Sequence, residues 1–161
     1  MAKKKSKKAV PPTPAVSPTE PPMCSCLLLC DDVVVTHAKG GKHHLQGIIG
    51  GIGLPLPATA GNHVVYLRLT NVYPNAHVVV SFQHEADNVP VWQFRAEFVP
   101  KSQPLDVNTM IVNVPPFRLT KAGRYHLQAT YQEVPIATVP IIVHDLTPAK
   151  GDGDGPDSHG N

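Results

Sequence analysis

From Asp31 onward the chain contains no cysteine; all three, Cys24, Cys26 and Cys30, fall in one short stretch near the N-terminus. No disulfide can staple the body of the fold, which argues against a secreted disulfide scaffold. Long hydrophobic runs are missing as well. The run from Cys26 to Cys30 stops at Asp31-Asp32, far short of the roughly 20 apolar residues of a membrane helix. MAKKKSKK resembles the charged start of an export signal, yet AVPPTPAVSPTEPP follows where an apolar helix is required. That same gap removes a lipoprotein reading of LLLC, which also lacks a small residue just ahead of the cysteine. The expectation is a soluble, cytoplasmic protein with no transmembrane segment.

Charge is sparse, 16% of residues, and unevenly placed. Lys3, Lys4, Lys5, Lys7 and Lys8 crowd the start, while Leu27 to Thr147 holds eight Lys/Arg against eight Asp/Glu. A neutral body is a poor match for a phosphate backbone, whose affinity comes from many neutralised phosphates. Weak contact with nucleic acid or an anionic surface therefore falls to those five lysines, for which a solubilising tail is the plainer role.

Catalytic signatures are also lacking. No G-x-S-x-G elbow surrounds Ser81 or any other serine, and Cys30 has no identifiable paired base. The glycine stretch Gly47 to Gly53 runs into Pro55 and Pro57 instead of a helix, so it is a strand end and connection, not a phosphate loop. GDGDGPD supplies Asp152 and Asp154 but neither the further ligand nor the closing Glu of a calcium loop. If Cys24 to Cys30 is extended, the three thiols share a face, with Cys26 and Cys30 about 13 Å apart at roughly 3.4 Å per residue. One tetrahedral metal cannot reach both, and joining Cys24 and Cys26 to His37 or His43-His44 requires a sharp bend. Small thiols beside the core are expected instead. The nine histidines are scattered; His43 and His44 point to opposite faces of a strand, and His77 and His126 fall on wet faces. Asp31 and Asp32 point apart, so they form no ready dyad.

What is present divides into three parts: a Lys-rich and Pro-rich disordered tail (1–23), a folded body (24–147) and a disordered Gly/Asp-rich tail (148–161). As polyproline II, Ala9 to Pro22 reaches roughly 40 Å at about 3.1 Å per residue. Period-two alternation dominates the body. Val65, Leu67 and Leu69 face in against Arg68 and Thr70; Val78, Val80 and Phe82 against His77, Ser81 and Gln83. Trp92, Phe94, Ala96 and Phe98 oppose Gln93, Arg95 and Glu97. Met110, Val112 and Val114 form another inward set, and Tyr125, Leu127, Ala129 and Tyr131 oppose His126, Gln128 and Thr130. IATVPIIV closes the body, Leu27 to Val35 opens it, and Asp31-Asp32 marks a bend, bulge or local exposure. Turn signals stand at Ala38–Lys42, Tyr73–Asn75, Ala86–Pro90 and Lys121–Gly123. About eight short strands at this spacing read as a single antiparallel β-sandwich, with a partly open barrel as the alternative.

In PPFRLTKAGRYHLQATYQEVPIATVPIIV, Phe117 and Leu119, then Gly123, Tyr125 and Leu127, resemble the closing strands of immunoglobulin-like and fibronectin-like modules. There Tyr125 corresponds to the corner tyrosine. LLLCDDVVVTHAKGGKHHLQGIIGGI narrows this to a resemblance to an uncharacterised bacterial family of small β-sandwich proteins. Its marks are a Cys-acidic start, a Gly-Lys turn, a Leu-x-Gly-Ile strand and a Phe-x-Phe…Pro-Gly-x-Tyr end. The likeness runs from Leu27 to Val143, with Lys121-Ala122 in place of the usual Pro before Gly123, and it implies a fold without implying chemistry.

The functional expectation is a non-enzymatic interaction module without cofactor or metal. A sheet face, edge strand or loop would bind another macromolecule, either a protein partner or a second copy of the chain. Two alternatives stand beside it: a tether acting through the N-terminal lysines, and a ligand-binding or hydrolytic sandwich using loop histidines.

Overall fold

The computed structural model describes residues 21–36, 41–73, 76–87, 89–98 and 106–148. The five lysines, His37, and all of the two expected disordered tails except residues 21–23 and 148 lie outside the described residues. Among those described the chain is all β. Its strands are β1 (Met23–Thr36), β2 (Lys42–Ile48), β3 (Gly51–Leu54), β4 (Ala58–Ala60), β5 (His63–Thr70) and β6 (Ala76–His84), followed by β7 (Trp92–Phe98), β8 (Asn108–Val114), β9 (Phe117–Leu119), β10 (Gly123–Tyr131) and β11 (Val134–Asp145). No helix there is long and apolar enough to cross a membrane. The excess over the expected eight strands is β3, β4 and β9, each of three or four residues. Such lengths are too short for alternation to show, and they sit among prolines and glycines that read as turns. β1 starts at Met23, earlier than the expected Leu27, because Cys24 and Leu27 already pair with Leu69 and Leu67 of β5.

Two sheets form, in the orders β2-β1-β5-β8 and β3-β11-β10-β6-β7, with β4 and β9 as a separate pair. One pairing departs from the antiparallel expectation: β3 runs parallel to β11. Those strands are far apart in sequence, so no hairpin fixes their relative direction. β3 flanks only Ile142 to Asp145, so the rest of β11 has a ladder on one side only. Pro135 and Pro140 fall in that part, where a missing N–H costs no ladder bond.

Alternation fills the space between the sheets. Leu27, Leu29, Val65, Leu67 and Leu69 from the first sheet join Val78, Val80, Phe82, Tyr125, Leu127, Ala129, Ile141 and Val143 from the second in one buried cluster. Each large aliphatic side chain there contributes roughly 1.5–3 kcal/mol by leaving water. The Phe82 ring stacks on Tyr125 at 5.1 Å and meets Phe117 at 5.5 Å. Tyr125 donates its hydroxyl to the Lys121 carbonyl at 3.0 Å, the bond expected of a corner tyrosine.

β5 departs from the one-wet-face pattern, since Val64 and Tyr66 are buried along with Val65 and Leu67. The cause is the β1–β2 hairpin. β1 pairs with β5 as far as Cys30 and beyond it only with β2. Past that point the two strands form a ribbon whose Val33 and Leu45 pack on Cys30, Val64 and Tyr66. His43 Nδ1 lies 2.8 Å from the Tyr66 hydroxyl, so the ribbon folds across the outer face of the four-stranded sheet. Gly47 permits the bend: its φ is +58°, and a Cβ there would collide with the Asp31 carboxylate. The ladder keeps its register from Cys30 opposite Ile48 to Asp32 opposite Gln46 but skips the pair between them, Asp31 and Gly47. The bend, bulge or local exposure expected at Asp31-Asp32 is a turning of the ribbon at that skipped pair, with both carboxylates exposed.

Candidate functional site

The outer face of the five-stranded sheet carries a groove of about 450 Å³ lined by His77, Val79, Arg95, Thr130, Tyr131, Gln132 and Glu133. Register explains its floor. Val79 of β6 sits opposite Arg95 of β7 on one side and Thr130 of β10 on the other, so these three form a row across three strands with side chains pointing away from the core. Glu97, opposite His77, continues the face.

One wall is the β10–β11 turn. Tyr131 pairs with Val134, leaving Gln132 and Glu133 as a two-residue connection with φ of +49° and +67°. Positive φ at both central positions is the type I′ arrangement that matches strand twist, and Asn-Gly is the pair that favours it. Here two ordinary side chains occupy it, and both line the groove.

Several polar groups of the groove lack partners among the described residues. Among the described residues, neither the Arg95 guanidinium nor the Glu133 carboxylate takes part in an ion pair. His77 Nδ1 is buried without a hydrogen bond, an uncommon condition for a buried ring nitrogen. Gln132 donates to the Tyr131 hydroxyl at 3.3 Å, which leaves the amide oxygen and the phenol proton available. Thr130 is already engaged, donating to the Val79 carbonyl at 3.4 Å.

The cysteines are arranged differently from expectation. A register shift between Cys24 and Cys26 places Cys24 against the main core and Cys26 and Cys30 in the cluster under the ribbon. Such an irregularity flips alternation, so the three thiols do not share one face. Burial is the largest cause raising all three above the ordinary thiol value. That keeps them protonated and weakly nucleophilic at neutral pH. Cys30 donates to the Val64 carbonyl at 3.4 Å.

Other sequence-flagged residues are dispersed. Asp31 stands by Gly47 and 3.6 Å from His63 Nδ1, whereas Asp32 accepts from the Val33 amide at 2.7 Å. His43 binds Tyr66 while His44 is exposed. His126 lies 4.0 Å from Glu85, and Ser81, expected on a wet face, is buried in register between Gln93 and Gln128. Among the described residues no group of three His, Cys, Asp or Glu could hold a metal ion. Lys121 bridges Asp87 at 2.9 Å, and that hydrogen bond holds the Asp87 carboxyl below its ordinary value. A smaller hollow of about 290 Å³ lies beside the ribbon, between Gly41, His43, Tyr66, Arg68, Val107 and Thr109. Alternation placed Arg95 and Thr130 outward, but the unusual turn was missed; the signal available was a two-residue gap, Gln132-Glu133, between two strand patterns.

The sequence model of a family of unknown function, DUF6941, matches residues 25–144. The chain belongs to that family. Its matched span begins within β1 and ends within β11, so it takes in both sheets, the ribbon and the groove of this DUF6941 chain. No curated protein matches the chain.

Proposed function

We propose that this DUF6941 chain is a non-enzymatic interaction module: a cytoplasmic, immunoglobulin-like sandwich that binds another macromolecule through the outer face of its five-stranded sheet. The groove carries this reading. It combines a volume in the range of ligand sites with Arg95 and Glu133 unpaired, the His77 nitrogen unbonded and a strained turn at its wall. The two-residue hairpin demands positive φ at both positions, and filling them with glutamine and glutamate where asparagine and glycine fit better points to use of those side chains at the groove.

The immunoglobulin-like assignment is supported by the Tyr125–Lys121 bond. A role without catalysis is supported by the protonated, partly buried thiols and by the separate engagements of Asp31 and Asp32.

The test uses the full chain immobilised beside an Arg95→Ala/Glu133→Ala variant, both exposed to native extract. A partner held by the wild type and lost from the variant is expected. Equal retention by both, or none by either, would overturn the reading.

A further inference from the structure

If the groove is the binding surface, its chemistry restricts what can occupy it. β6 is hydrogen-bonded to β7 on one side and β10 on the other, and β10 is bonded to β6 and β11. The floor strands β6 and β10 therefore offer no free backbone N–H or C=O, while β7, which carries Arg95, is the edge of the sheet and is free only along its far side. A peptide laid across the face would bury its own amides without partners, at about 1–3 kcal/mol for each unsatisfied group; one that added to the sheet would do so in its plane beside β7, off the floor of the groove. Among the described residues a phosphate backbone meets one cation at the groove, Arg95, with Glu97 and Glu133 on the same surface, a poor basis for affinity that grows with the number of neutralised phosphates. A wholly apolar ligand would strip water from Arg95 and Glu133 and return nothing.

What fits is a ligand whose polar groups both donate and accept, carried on a ring with an apolar face. Its hydroxyls can donate to the Glu133 carboxylate and the Gln132 amide oxygen, and can accept from the Arg95 guanidinium and the Tyr131 phenol. Its C–H face can rest on Val79 and the Tyr131 ring. We propose that the groove binds a neutral glycan, holding about two sugar rings, a drug-sized portion, in its volume of about 450 Å³. Side chains of both signs are then used together: Arg95 orients an acceptor oxygen, and Glu133 takes a hydroxyl proton in a hydrogen bond. This rests on the groove reading above and adds the chemical class of the partner.

The experiment applies the full chain to an array of defined neutral oligosaccharides, beside Arg95→Ala, Glu133→Gln and, on the ribbon, Lys42→Ala. A displayed peptide library is selected in parallel against the same proteins. At least one oligosaccharide should bind the wild type and Lys42→Ala equally, with about tenfold or greater loss in Arg95→Ala and in Glu133→Gln. An array without signal, or a signal that survives both groove substitutions, overturns the glycan proposal. In that event, peptides that bind the wild type but not Arg95→Ala would leave the groove reading standing. Absence of both kinds of ligand would remove that reading too.

Discussion

Replacing Gln132-Glu133 by Asn-Gly should stabilise the fold while removing its ligand. Both residues hold positive φ, +49° and +67°, a conformation that costs an ordinary L-residue about 1–2 kcal/mol. Glycine at 133 recovers most of that cost, less about 0.5–1 kcal/mol for its greater freedom in the unfolded chain. Asparagine at 132 recovers part of the rest, because it tolerates this region better than glutamine. Against the gain stands the Gln132–Tyr131 hydrogen bond, which is long at 3.3 Å and exposed; its loss falls at or below the low end of the usual contribution of about 0.5–1.5 kcal/mol. The net is a stabilisation of roughly 1 kcal/mol, or about 2–6 °C in Tm for a domain of this size. Urea unfolding can follow it through Trp92, the sole tryptophan, which is 8% exposed. The midpoint should rise with unchanged m, since the surface exposed on unfolding is the same. A midpoint that stays put or falls would refute the claim that the turn stores strain.

Three further outcomes follow from the geometry. Gly47→Ala should cost more than the 1–2 kcal/mol of its backbone conformation, because the new Cβ also displaces the Asp31 carboxylate; adding Asp31→Ala should restore part of the loss by urea denaturation, and a strictly additive double variant would contradict the contact. Tyr125→Phe keeps the ring stack and removes the bond to Lys121, so it should cost about 1 kcal/mol in the same assay, and no change would deny the corner its role. Asp145 accepts from the Thr147 hydroxyl first, and also from the Leu56 and Thr147 amides, which lowers its pKa. Its stabilisation is present above the unfolded carboxylate value of about 3.9 and is lost as pH falls through the lower folded value. Asp145→Asn should therefore lower Tm at neutral pH, with the gap closing in acid; a gap independent of pH would refute the linkage.

Much of the sandwich was legible because burial on one face imposes alternation. Val65-Leu67-Leu69 and Tyr125-Leu127-Ala129 point inward as read, and all of them are buried. The ribbon was not legible, since Val64 and Tyr66 are buried by residues that return from β2, a contact no local pattern encodes. The cysteine arrangement failed for a similar reason: the register shift between Cys24 and Cys26 reverses every face assignment across it. For the groove, alternation supplied Arg95 and Thr130 as outward residues. Only the three-strand register could align them beside Val79. Glutamine and glutamate carry no sequence mark for positive φ, so the turn that walls the site read as ordinary.

The central claim is that binding occurs on the outer face of the five-stranded sheet. Amide chemical-shift mapping of the full chain, titrated with the oligosaccharide that binds most tightly on the array, tests it most directly. Shifts concentrated at Val79, Arg95 and Thr130 to Glu133 are predicted, with β1, β2 and β5 unmoved. Shifts centred on Tyr66 and Arg68 across the other sheet, or spread without a focus, would contradict it.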